Sequence, residues 1–284
     1  MATKKSEIAS PLDKKSTPEL IASALTIGDI EENAYWDIVW KLCERGTAAT
    51  LNAARDLCGS DEPKERALGA HILGHLGVLS TPEHVRPFTE EALIILLPML
   101  DEPRNADPEL LQSLIGALGH QSDPRTVAAM ARFKDHAESD VRWSIAVALG
   151  GQEDELSIAT LIEMSRDENA GVRDWATFGI GTQIATDTPE IRMALLQRLD
   201  DPDNDTRNEA IRGLAQRKDK RVIESIIREL AAENPQHLAV EAARELAAPD
   251  LLPALLRLKA ADTEADLEDE TLDEAIAQCR GDMI

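Results

Sequence analysis

The stretch SDVRWSIAVALGG (residues 139–151) returns in altered form as AGVRDWATFGIGT at 170–182 and as NDTRNEAIRGLAQ at 204–216. Self-similarity at a fixed spacing marks stacked units, each solving the same packing problem as its neighbour. Six segments superpose without gaps: ERALGAHILG (65–74), LLQSLIGALG (110–119), VRWSIAVALG (141–150), VRDWATFGIG (172–181), TRNEAIRGLA (206–215) and LAVEAARELA (238–247). Their starts lie 45, 31, 31, 34 and 32 residues apart. Such a period is too long for one helix and right for a helix pair with its turns. The long first step predicts an insertion around STPEHVRPFTEE (80–91).

Each segment reads as a helix. Val141, Ser144, Ile145, Ala148 and Leu149 recur at i, i+3, i+4, i+7 and i+8, the stripe of a core-facing helix. The next copy puts Val172, Trp175, Ala176, Gly179 and Ile180 in the same places. Small residues in the stripe allow close approach of neighbouring helices. Asp107, Asp140 and Asp205 stand ahead of these helices, where a short carboxylate caps free amides and meets the helix dipole. Between the repeating helices lie intervening ones, such as DELSIATLIEMSRD and DKRVIESIIRELAAE, with Leu and Ile at helical spacing. No stretch alternates apolar and polar residues long enough for a sheet.

The pattern D-x-x-V-R-x-x-A-x-x-A-L-G, over roughly residues 61–259, resembles the HEAT-repeat superfamily in the short form first associated with phycobilin lyases. The resemblance implies an all-α fold, a right-handed α-solenoid of stacked antiparallel helix pairs. It also implies that the repeating helix lines the concave side. Its arginine pairs with turn carboxylates of adjacent repeats, which assigns Arg66, Arg142, Arg173 and Arg207 to a structural ladder, interrupted at Leu111 and Ala239. Such arrays serve many roles, so architecture alone does not choose a function.

An open stack leaves an apolar face at each end that must be covered. The expected organisation is a flexible tail over 1–20, a helical cap over 21–60, the HEAT-like array over 61–259 and an acidic tail or cap over 260–284. The upstream cap contains Trp36 and Trp40 one turn apart, either as capping core or as a second anchor for a partner. The segment DTEADLEDETLDE (262–274) carries eight carboxylates and no basic residue.

Fifty-three acidic residues against 30 basic give a formal charge of −23. Nucleic-acid backbone is therefore excluded as a partner, and a basic protein or peptide is favoured. Cys43, Cys58 and Cys279 have no metal-type spacing and read as thiols of a reducing compartment. The N-terminus lacks the apolar core of a secretory signal, and the longest apolar run, ALIILLPML (92–100), is too short to span a bilayer. The expectation is a cytoplasmic monomer with no membrane partner.

His71 and His75 stand four apart on a helix, the spacing of a zinc pair, but Ile72 follows where a metalloprotease needs Glu, and no third ligand is evident. No metal or cofactor is expected. The deoxyhypusine hydroxylases, HEAT-like di-iron enzymes, use His-Glu pairs; here none of the six histidines precedes a Glu. GIGTQI (179–184) lacks the third glycine of a dinucleotide fingerprint, and QRKDKR (216–221) reads as a solvated turn. What remains is the exposed flank of the repeating helices: His71, His75, Trp143, Val147, Asp174, Phe178 and Arg212. Aromatic residues there are typical interface anchors. The expected function is a non-catalytic scaffold that binds a protein or peptide on its concave face, of inhibitor or immunity type toward a basic partner. The competing expectation, by family resemblance, is a bilin lyase or isomerase acting on a phycobiliprotein.

Overall fold

The structure is a computed structural model and describes residues 10–27, 30, 32–78, 86–232, 235, 237–261 and 269–281. Among the described residues there are sixteen α-helices and no strand. Contacts divide the chain into two compact units, residues 1–133 and 134–284. The first holds α1 (Thr17–Ile27), α2 (Asn33–Arg45), α3 (Ala48–Cys58), α4 (Pro63–His75), α5 (Thr89–Met99), α6 (Pro108–Gly119) and α7 (Pro124–Ala131). The second holds α8 (Ser139–Leu149), α9 (Glu155–Met164), α10 (Ala170–Gly181), α11 (Pro189–Arg198), α12 (Asn204–Gln216), α13 (Ile223–Leu230), α14 (His237–Leu246), α15 (Leu252–Ala260) and α16 (Asp269–Arg280).

The six superposed segments are α4, α6, α8, α10, α12 and α14. Within the first unit α2 packs on α4 and α4 on α6; within the second, α8, α10, α12, α14 and α16 pack each on the next. Each unit is thus a stack of helix pairs, and the fold class is the all-α solenoid. Local sequence sets the helix starts. Pro63, Pro108, Pro124 and Pro189 occupy first turns, where a missing amide costs nothing. Asp107, Asp154, Asn169 and Asp203 accept hydrogen bonds from the first free amides. Asp107 is a cap as expected, whereas Asp140 and Asp205 lie two residues past the caps, in the first turns of α8 and α12.

The fourth residue of α4, α8, α10 and α12 is an arginine, and each does the same two things. Arg142 donates to the His136 and Ala137 carbonyls of its own turn (2.8 and 3.1 Å) and places two nitrogens on Asp167 (2.7 and 2.8 Å). Arg173 donates to the carbonyls of Asp167 and Glu168 (2.9 and 3.1 Å) and grips Asp201 (3.0 and 2.9 Å). Arg207 then takes the Asp201 and Pro202 carbonyls (2.7 and 3.3 Å) and faces Glu229 at 3.6 Å. In the first unit Arg66 bonds the Ser60 carbonyl (3.1 Å) and Glu102 (2.7 Å). The turns at Asp167 and Asp201 are therefore tied from both sides, by their own arginine and by that of the preceding pair.

The ends depart from expectation. α1 and α2 start inside what the sequence suggests as tail and cap: Leu20 and Ala24 are fully buried, so a flexible segment cannot extend to residue 20. Residues 1–9 lie outside the described ones, as do 79–85, which include half of the expected insertion. At the other end α16 buries Leu272, Ala275, Ile276 and Cys279 against α14 and α15. An apolar stripe hidden among carboxylates makes this acidic segment the next helix of the stack, so packing extends past residue 259; residues 262–268 lie outside the described ones.

Burial also corrects the core stripe. Ala146 and Thr177 are buried, whereas Ala148 and Trp175 are half-buried. A repeating helix is flanked by two others, so its covered arc is wider than and rotated from a single amphipathic stripe. All three cysteines are free and buried, with the Cys43 and Cys58 thiols pushed up to about 12 by desolvation. No described helix is long and apolar enough to cross a membrane.

Candidate functional site

In the second unit, Gly171, Asp174, Trp175 and Phe178 recur at i, i+3, i+4 and i+7 along the side of α10 left over by the core. Gly171 is exposed and the other three are half-buried. On α8 the matching side carries Trp143 and Val147, 38% and 37% exposed. The rings form a continuous strip: Trp143 meets Trp175 edge to face at 5.5 Å between centroids, and Trp175 meets Phe178 likewise at 5.7 Å. Trp143 lies over the start of α10 beside Gly171, where a Cβ would stand 3.8 Å from the indole, an ordinary van der Waals contact.

Toward α12 the strip becomes acidic. One oxygen of Asp174, Oδ1, is buried without a hydrogen-bond partner. Burial, then the charges of Asp205 and Asp203, push its carboxyl up to about 6. Burial also raises Glu209, with Asp174 and Asp205 adding to the shift; Arg212 and a 3.4 Å hydrogen bond from Thr182 oppose it. Neither Asp174 nor Glu209 has an ion pair within 4.0 Å among the described residues. This contrasts with the ladder carboxylates, where Asp201 lies between Arg173 and Arg198.

The first unit carries a different cluster, built by α2 and α4 with His120 just beyond α6. His71 is not on an exposed flank: it is buried, its Nδ1 2.8 Å from the Tyr35 hydroxyl, with Trp36 packed at 4.9 Å. α2 covers the side of α4 that the repeat pattern alone leaves open. His75, half-buried, lies between Trp40 (4.5 Å) and His120 (4.1 Å). Burial and then His120 hold His71 at about 4; burial, His120, Arg86 and His71 hold His75 at about 3. Both imidazoles are therefore neutral near pH 7. Trp36 is half-buried in this cluster and Trp40 is 39% exposed at its edge. Among the described residues no group of three or more His, Cys, Asp or Glu is placed to hold a metal ion.

Of the residues expected on one face, the structure brings Trp143, Val147, Asp174, Phe178 and Arg212 onto adjacent helices of the second unit. It places His71 and His75 in the first unit. Trp175 and Glu209 are the members that sequence reading missed. They share a column with Ser144 and Glu241, and that polar drift was the available sign of a boundary position.

Part of the chain is similar to known HEAT repeats. The family model for HEAT repeats matches residues 95–181, which run from within α5 to the end of α10. Protein YibA of Escherichia coli K12, and its counterpart in strain O157:H7, are each 38% identical over 117 residues, covering 41% of this chain and 41% of the relative. The matched region thus spans about two fifths of those curated relatives. The crystal structure of the E. coli YibA protein superposes with a TM-score of 0.73 at 24% identity, covering 99% of this chain and 98% of that one, which shows the shared fold. Human deoxyhypusine hydroxylase reaches only 0.36 at 18% identity and carries no argument.

Proposed function

We propose that this chain is a non-catalytic scaffold that holds a protein or peptide segment against the repeating-helix face of its second unit. The observation that carries this reading is the strip Trp143–Trp175–Phe178, large aromatic surface left partly in solvent across two successive helices. Partly exposed indoles and phenyl rings supply contact area with few rotors to freeze, the usual chemistry of interface anchors. The formal charge of −23 and the unpaired carboxylates beside the strip favour a basic partner. A protein that neutralises such a partner, of inhibitor or immunity type, is the finer form of this reading.

Affinity capture compared between wild type and the Trp143→Ala/Phe178→Ala double variant tests it. A protein held by the wild type and released by the double variant, with helical circular dichroism intact, supports the scaffold. Transfer of phycocyanobilin to an acceptor cysteine by the purified chain would replace it with the bilin-enzyme alternative.

A further inference from the structure

We propose that the α10–α12 side of this strip is a receptor for one cationic side chain, lysine or arginine, of the bound segment. Its aliphatic stem would lie along Trp175 and Phe178, and its charge would sit on Asp174 with Glu209 behind. The inference rests on the scaffold reading above and adds the chemistry of one recognised side chain.

Four observations converge on it. Asp174 and Phe178 stand four residues apart on α10 and so share one face, with Trp175 beside them. The Asp174 Oδ1 is shielded from water yet accepts nothing, an arrangement that costs free energy and leaves this carboxylate without compensation. The groups facing Asp174 from α12 and its cap are Asp203, Asp205 and Glu209, with Arg212 acting on Glu209, so the local excess is negative. On its own helix, Arg173 is engaged by Asp201, and on the α8 side the strip continues with the uncharged Trp143 and Val147. Finally, among the described residues no group of three or more His, Cys, Asp or Glu is placed to hold a metal ion. An ammonium or guanidinium at the Asp174 carboxylate would relieve the like-charge repulsion and meet the electron-rich faces of the rings.

The pH behaviour follows from the same contacts. Cation binding requires the ionised carboxylate, and burial, then the charges of Asp205 and Asp203, favour the protonated form of Asp174 up to about pH 6. Affinity therefore rises as pH is raised through that value and is lost below it.

The test uses the full chain and two ten-residue peptides, Gly-Ser-Ala-Leu-Ala-Lys-Ala-Leu-Ser-Gly and its analogue with norleucine in place of lysine, titrated by tryptophan fluorescence. The lysine peptide should bind about tenfold more tightly at pH 7.5. That advantage should vanish in Asp174→Asn and at pH 5. It should persist in Asp250→Asn, which removes one exposed charge elsewhere in the same unit. Equal binding of the two peptides, no binding of either up to millimolar concentration, or an equal loss in Asp250→Asn would overturn the inference. If a partner found by capture needs Trp143 and Phe178 but is indifferent to Asp174→Asn, the cation receptor falls and the scaffold stands. If it needs neither aromatic residue, the scaffold reading falls as well.

Discussion

Asp174 and His71 show burial acting on opposite kinds of titratable group. The Asp174 carboxyl is raised to about 6 from an ordinary value near 3.8, so the folded chain holds its proton more tightly than the unfolded one. Stability from this group accordingly grows as pH falls from about 6 to about 4 and is absent at neutral pH. Replacing Asp174 by Asn should make the protein more stable than wild type at pH 7.5 and bring the two closer at pH 4.5, as read by urea unfolding. An equal difference at both values would mean that the carboxyl is not desolvated. The imidazoles run the other way. His71 and His75 are held near 4 and 3 against 6.5 in the unfolded chain, so acidification below about 6.5 progressively removes stability from the first unit. Tyr35→Phe would leave the buried His71 Nδ1 without its 2.8 Å partner. It should cost about 1–3 kcal/mol, measured as a shift in denaturation midpoint at constant slope. The place of His71 was not legible from the repeat, because the residues that cover it come from α2, whose sequence lies outside the repeating pattern.

Contacts between elements depend on small residues at crossings. A Cβ on Gly213 of α12 would stand 2.7 Å from the Gly181 Cα of α10, and one on Gly179 would stand 3.1 Å from the Leu161 side chain of α9. Gly213→Ala and Gly179→Leu should each cost about 1–3 kcal/mol by forcing these helices apart, seen as a lowered thermal midpoint. An unchanged midpoint in both would show that the packing register is wrong. The ladder makes a second demand. Arg173→Ala leaves the almost fully buried Asp201 with Arg198 alone and opens two turn carbonyls, so a loss of about 3 kcal/mol is expected. Elements of this kind were the most legible part of the fold: the spacing of the segments and the arginine column can both be read from the chain. Trp175 was less so. Its position matches that of the buried Ser144, but an indole does not fit where a hydroxymethyl group does, and it turns outward to join Trp143 and Phe178. The acidic segment α16 was obscured in a similar way, since a carboxylate-rich composition hides a spaced apolar stripe.

For the whole molecule, charge and surface chemistry support the same kind of partner. A formal charge of −23 attracts a basic protein over distance, whereas the aromatic strip and its carboxylates act at contact. Added salt should therefore slow association and weaken the complex, most steeply between 50 and about 500 mM as the Debye length shrinks below roughly 10 Å. The most direct check of the central claim is isothermal titration of the captured partner against wild type and the Trp143→Ala and Phe178→Ala single variants at physiological salt. Each single variant is expected to weaken binding by about 2 kcal/mol or more while helical circular dichroism is unchanged. Wild-type affinity in both would contradict the account and would point to the Trp36–Trp40 edge of the first unit as the docking surface.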